Sequence, residues 1–230
     1  VDDSIWINLP FGRSTMIRIA RDAEVILAGN QYIADWFGSY SKNVRIVPTA
    51  INTERFFPLA PSERKSDRPF VVGWTGQSVG FPYLYSVEDY LGEFLRDHDA
   101  ELWIMAEQKP RFKKVGLEKV RFLQWSPASE AQFVRELDVG IMPLVLSEEC
   151  QGKCSFKMLQ YMSSGIPVVA SPIGMNADVL KMGKVGYSVN NGKDWYAALK
   201  HLYDDRSIGD FMGIEGRKIV EEFFALDVIS

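Results

Sequence analysis

Lys153, Lys157, Gln160 and Ser164 recur at i, i+4, i+7 and i+11, which places four polar side chains on one stripe of a helix. Cys154, Met158, Tyr161 and Met162 recur at helical spacing too and are expected to form its packed face. The helix is expected over Ser155 to Ser164, ended by Gly165, with Pro167 opening a β-branched strand. Two lysines beside free backbone N–H groups at a helix N-terminus form a seat for an anion, and a diphosphate is the most economical ligand. Lysines at i and i+4 are otherwise the ordinary solvated face of a helix. What favours a site is position: the stripe falls at the carboxyl-end crevice of an α/β sheet, where such folds take their ligands.

Other segments offer further candidates. The loop Gly73-Trp74-Thr75-Gly76-Gln77-Ser78-Val79-Gly80 follows a buried strand, and its glycines let backbone N–H groups approach a phosphate. It does not spell G-x-G-x-x-G, so a dinucleotide site is poorly supported. Glu148 and Glu149 lie in what reads as a polar loop from Ser147 to Gly152; they suit hydroxyl contacts or acid–base work, or plain solvation. Ser171 to Asn176 opens a later βα turn whose small residues suit a sugar. His98 and His201 stand in polar helical contexts, with structural or solvated roles favoured. The chain contains no Walker sequence, G-x-S-x-G elbow or H-E-x-x-H. Cys150 and Cys154 are the two cysteines and no histidines cluster near them, so reduced thiols are expected rather than a metal site.

These residues need a scaffold, and the chain supplies one by alternating strands and helices, the pattern of a parallel sheet covered on both faces. From residue 69 onward, strands are expected at Phe70–Trp74, Glu101–Met105, Val120–Gln124, Val139–Pro143, Pro167–Ala170 and Gly186–Val189. Helices are expected between them at Val87–Arg96, Ser129–Leu137, Ser155–Ser164, Trp195–Asp204 and Ile208–Phe223. Six strands suffice for a complete doubly wound, Rossmann-like domain over 69–230. Residues 1–52 offer two strands, Glu24–Ala28 and Val44–Val47, with helices at Thr15–Arg21 and Gln31–Tyr40, and read as the tail of a preceding domain. Residues 53–68, charged and carrying prolines, read as a linker. The sequence opens at Val1, as if cut from a longer chain.

At 230 residues, 47% apolar and 24% charged, the chain has the composition of an ordinary globular protein. A net charge of −4 gives no general electrostatic reason to bind nucleic acid. The run Arg111-Phe112-Lys113-Lys114, with Lys119 and Arg121, is either a solvated loop or a contact for an anionic membrane surface. No apolar run approaches the ~20 residues of a bilayer span, and no signal peptide is visible. A cytoplasmic, at most membrane-peripheral, location is expected.

Three segments resemble a known family. Val44 to Phe56 looks like a domain junction, Val71-Val72-Gly73-Trp74-Thr75-Gly76 like a first strand and glycine loop, and Gly152 to Pro172 like a nucleotide-sugar motif. Together the chain resembles the C-terminal donor-binding half of family 4 glycosyltransferases, which have the two-Rossmann GT-B fold, with a remnant of the N-terminal acceptor domain. The resemblance implies transfer of a sugar from a nucleotide-diphosphate donor to a glycan or lipid-linked acceptor, with retention, in surface polysaccharide assembly, and no cofactor beyond the donor. It implies Lys153 and Lys157 as the catalytic cations, and a donor contact set of Gly73, Gly76, Gln77, Glu149, Gly152, Ser155, Phe156 and Gln160. The chain also departs from the family. Where the family has two glutamates eight residues apart, Gly152 and Gln160 stand here, and the Arg and Lys usual after the glycine loop are missing. Without the acceptor half, these residues are expected to bind donor weakly and turn over little. A non-catalytic nucleotide-sugar-binding module and a GT-B-like epimerase are the alternatives.

Overall fold

The computed structural model describes residues 1–7, 10, 12–63 and 67–229. The first part of the chain runs α1 (Gly12–Asp22), β1 (Ile26–Ala28), α2 (Gln31–Gly38) and β2 (Val44–Ile46). Then follow β3 (Phe70–Thr75), α3 (Phe81–Tyr85), α4 (Glu88–Asp97), β4 (Ala100–Ala106), β5 (Val120–Gln124), α5 (Pro127–Arg135) and β6 (Val139–Met142). The chain continues through α6 (Glu148–Gln151), α7 (Phe156–Ser163), β7 (Val168–Ala170), α8 (Met175–Met182), β8 (Gly186–Ser188), α9 (Gly192–Asp204), α10 (Arg206–Phe223) and α11 (Leu226–Ile229).

Strands β3 to β8 form one sheet in the order β5-β4-β3-β6-β7-β8, with every pairing parallel. Parallel strands need crossovers, and helices supply them on both faces, so the strands are apolar on both sides. In β3, Phe70, Val72 and Trp74 enter one core while Val71 enters the other, as alternation along a strand requires. The chain builds outward from β3 through β4 to β5, then returns to place β6 on β3's other flank. That reversal opens a crevice at the carboxyl ends of β3 and β6. The expected doubly wound, Rossmann-like sheet is therefore present, with all six strands close to their expected positions.

Strands β1 and β2 pair parallel in a separate sheet, and Trp6, Ile33, Phe37 and Ile51 join the core on the α7 face of the large sheet. Asn30 both caps α2, accepting from the Ile33 N–H at 2.9 Å, and donates to the Gln151 and Lys153 carbonyls. The segment read as a linker is packed rather than loose. Phe56 is buried, Arg135 lies 4.3 Å from the Phe57 ring centroid, and Arg217 Nη1 donates to the carbonyls of Thr53, Phe56 and Ser163. Arg64, Lys65 and Ser66 of that segment lie outside the described residues.

Four local expectations are corrected. Residues 148–151 form α6 rather than loop, because the Ser147 hydroxyl accepts from the Cys150 N–H and caps it. Helix α3 is an addition that the sequence does not announce; α4 lies where a helix is expected over Val87–Arg96. Helix α8 follows Gly174, whose φ of +56° marks a sharp turn that apolar periodicity does not reveal. Lys153 precedes α7 instead of riding on it, since α7 starts only at Phe156.

Candidate functional site

A cleft of about 690 Å³ opens at the switch point between β3 and β6. Its floor is the end of β3, Thr75 and Gly76, with Met142 from the end of β6; Ser155, Phe156, Lys157 and Gln160 of the α7 turn form one wall. A smaller lobe of about 170 Å³ shares Asp3, Gln77, Met142, Lys153 and Lys157 with it and is closed by Trp74, Val79, Tyr83, Pro143 and Leu144. The two lysines thus stand where the lobes meet.

The entry to α7 is strained. Ser155 holds φ at +57°, the one positive φ among the described non-glycine residues. Such a conformation costs on the order of 1 kcal/mol for a residue with a Cβ and persists only where its surroundings impose it. Here the Ser155 hydroxyl donates to Asn176 Oδ1 at 2.7 Å, and Asn176 Nδ2 donates to the Ser171 carbonyl at 3.1 Å, all buried. With its hydroxyl turned toward α8, Ser155 does not cap α7, and it offers the first N–H groups of that helix no side-chain acceptor. This turn brings Lys153 and Lys157 together although only Lys157 is helical.

The two ammonium groups differ. Lys153 Nζ lies 3.5 Å from Glu149 and 3.8 Å from Asp3, with the Tyr83 ring centroid 5.9 Å away. Lys157 Nζ lies 5.5 Å from the Trp74 ring centroid, and among the described residues no carboxylate pairs with it. Its side chain keeps some accessibility, but its ammonium sits deep in the cleft. Desolvation pushes its pKa down to about 8; Lys153 adds to that shift and Asp3 opposes it. A cation held at that cost, beside open helix N–H groups, is set up to receive an anion.

The profile of the family described as "Glycosyl transferases group 1" matches residues 83–205, more than half of the chain. The chain belongs to this family. A sequence search of curated proteins finds no match. Among solved structures, HepE from Anabaena with UDP and glucose is similar at TM-score 0.76 and 15% identity, over 95% of this chain and 64% of that one. Sucrose-phosphate synthase from Thermosynechococcus elongatus gives 0.74 and 17%, over 100% and 61%. S. aureus TarM, solved with UDP among its ligands, gives 0.73 and 16%, over 96% and 45%. At such identities the likeness shows the fold, which is that of GT-B glycosyltransferases, and the chain spans less than two thirds of each structure.

In this group 1 glycosyltransferase chain, the expected site residues separate into those at the cleft and those behind it. Gly76 lines the cleft: a Cβ there would stand 2.5 Å from Lys157 Cε and 2.9 Å from the Trp74 ring. Gln77 borders both lobes, and Phe156 presents a half-exposed ring. Gln160 lines the cleft at 1% exposure, and its Nε2 has no partner. Gly73 is inside β3, where a Cβ would strike Leu137 at 2.2 Å; packing explains that glycine. Gly152 packs on Ser4, whose Oγ a Cβ would meet at 1.9 Å. Glu149 stands behind Lys153 rather than in the cleft wall. Ser164, placed by spacing on the polar stripe, is buried with an unpartnered Oγ instead of lining the cleft.

Sequence reasoning missed Asp2, Asp3, Thr49, Glu107, Trp125 and Glu130, all of which line the cleft. They come from five separate segments, so no local spacing links them. One signal was available: Glu107 and Trp125 sit just past the carboxyl ends of β4 and β5, on the crevice edge of the sheet. Glu107 accepts the Ser78 N–H and hydroxyl, which lowers its pKa, and Glu130 pairs with Arg55 at 2.9 Å. The histidines lie elsewhere: His98 stacks on Phe94, and His201 Nδ1 bonds the Tyr187 hydroxyl. The basic run is largely engaged locally. Lys114 pairs with Asp89 at 2.5 Å, the Lys113 and Lys114 N–H groups donate to Glu88, and Arg121 stacks on Trp103. Among the described residues no helix is long and apolar enough to cross a membrane, and no group of three or more His, Cys, Asp or Glu is placed to hold a metal ion.

Proposed function

We propose that the cleft binds a nucleotide-diphosphate sugar and that the protein transfers the sugar, with retention of configuration, to a glycan or lipid-linked acceptor in polysaccharide assembly. The observation that carries this reading is Lys157, a cation with no carboxylate partner among the described residues, beside the uncapped start of α7 at the sheet's switch point. As the anomeric C1–O bond breaks, negative charge builds on the departing diphosphate. Lys157, Lys153 and the α7 N–H groups stabilise that charge. The acceptor hydroxyl oxygen bonds to C1 and its proton passes to the departing phosphate oxygen, so no protein nucleophile is required. Gln77, Phe156 and Gln160 contact the donor; the orphaned Gln160 amide offers a ribose hydroxyl an N–H without charge assistance. The acceptor side, and any peripheral membrane contact at Lys113, belongs to the same reading of a cytoplasmic enzyme.

Thermal-shift and calorimetric titration with UDP, GDP and their sugar conjugates tests this. A nucleotide at about 100 times its dissociation constant adds about 2.7 kcal/mol to stability. The shift is expected with one base and is lost in Lys157→Ala. Binding that survives in Lys157→Ala at full strength would remove the cleft from consideration.

A further inference from the structure

The two lobes are unequal, and that inequality gives the donor a direction. The larger lobe, about 690 Å³, has the half-exposed rings of Trp125 and Phe156 and the unpartnered, 1% exposed Gln160 amide; it fits a nucleoside. The smaller, about 170 Å³, has room for one ring, faced by Trp74 and Tyr83. With the diphosphate between them on Lys153 and Lys157, the sugar falls in the small lobe. Sugar hydroxyls are read most strongly by ionised acceptors. Among the described residues lining the small lobe, Asp3 is the one carboxylate.

Resting on the donor reading above, we propose that Asp3 is the sugar-positioning residue, accepting a hydroxyl of the donor sugar through Oδ2. Its two oxygens have different tasks. Oδ1 accepts the Ser4 N–H at 2.9 Å, and Ser4 is itself fixed, its hydroxyl donating to the Glu148 carbonyl at 3.0 Å and its side chain packed on Gly152. Oδ2 faces Lys153 at 3.8 Å, too far for a hydrogen bond. A diphosphate that draws Lys153 to itself leaves Oδ2 free to accept from the sugar. The carboxylate is thus held by one oxygen and offered by the other, in a segment distant in sequence from both lysines.

The test compares dissociation constants for UDP with UDP-glucose, and for GDP with GDP-mannose, in the full chain and in Asp3→Ala and Asp3→Asn. Asp3→Asn keeps the Ser4 contact and guards against a folding defect; Asp3 is 47% exposed, so neither change opens a cavity. For the pair that binds, both variants are expected to lose about tenfold in affinity for the sugar conjugate, as for a hydrogen bond to a charged group. The free nucleotide binds at least as tightly as before, because a negative charge has left its neighbourhood. If nucleotide and conjugate shift by the same factor, or neither shifts, the assignment of Asp3 is overturned while the donor site stands. If the unaltered chain binds none of the four, both readings fall.

Discussion

Lys157 offers a sharp test of the site, because its depressed pKa of about 8 makes anion binding and proton binding one event. A diphosphate favours the charged form, so the bound complex keeps Lys157 protonated well above pH 8. With a free-state pKa of about 8, the ammonium is about nine-tenths protonated at pH 7, about half at pH 8 and about one-tenth at pH 9. Binding of a nucleotide sugar, whose diphosphate does not itself titrate in this range, is therefore expected to take up about 0.1, 0.5 and 0.9 of a proton at these pH values. Because only the protonated form is competent, affinity falls about tenfold between pH 7 and pH 9, or about 1.4 kcal/mol. Calorimetry in buffers of different ionisation enthalpy reads proton uptake directly. Lys157→Gln is expected to abolish the uptake. Lys153→Gln, which removes a neighbouring positive charge, moves the profile to higher pH. Binding without proton uptake at pH 8, or uptake that persists in Lys157→Gln, would refute the reasoning.

The same lysine bears on stability with a definite sign. Its folded pKa lies below the ordinary 10.5, so between about 8 and 10.5 the unfolded chain holds a proton that the folded chain has released, and the Lys157 contribution to stability rises with pH. Lys157→Met is accordingly expected to raise stability at pH 7 by up to about 3 kcal/mol, an upper figure because the side chain keeps some contact with water; chemical denaturation at pH 7 and pH 10 should show the gain shrinking at the higher pH. Gly76→Ala places a methyl 2.5 Å from Lys157 Cε and is expected to cost about 1–3 kcal/mol of stability and to weaken nucleotide binding, measured by melting and calorimetry on the same sample. Tyr161→Phe removes the buried hydroxyl that accepts the Thr75 N–H at 3.2 Å, leaving that donor unsatisfied at a cost of about 1–3 kcal/mol in a denaturation curve. Gln160→Leu removes an amide with an orphaned donor, so the ligand-free melting temperature is expected to hold or rise while nucleotide affinity falls about tenfold.

The sheet was legible because parallel strands buried on both faces are written as continuous β-branched and aromatic runs, and Phe70 to Trp74 and Val168 to Ala170 are such runs. The lysines were legible as residue types but not as a helical stripe. The spacing treated Lys153 as helical, and nothing local announces that Ser155 adopts a left-handed backbone; that depends on Asn176, twenty-one residues on. Gln160 and Ser164 share the polar stripe by spacing, and spacing cannot tell a face turned into a cleft, as for Gln160, from one turned into the core, as for Ser164. Asp3 escaped notice because what gives it meaning, the bond from the neighbouring Ser4 hydroxyl to the Glu148 carbonyl on α6 and its own approach to Lys153, is made across the whole chain.

One guanidinium has a mechanical consequence. Arg217, on the long helix α10, grips the carbonyls of Thr53, Phe56 and Ser163, and the Ser163 hydroxyl also donates to Phe56. Ser163 is the last residue of α7, the helix whose other end carries Lys157. The segment leading out of residues 1–52 is thus fastened to the far end of a rigid rod eight residues long, whose near end bears the anion seat. Through that fastening, a displacement of the segment would reach the lysine as a tilt or shift of α7. On the proposed reading, an anion held by Lys157 would load the same helix from its opposite end, with Arg217 the fulcrum between that load and the segment leading out of residues 1–52.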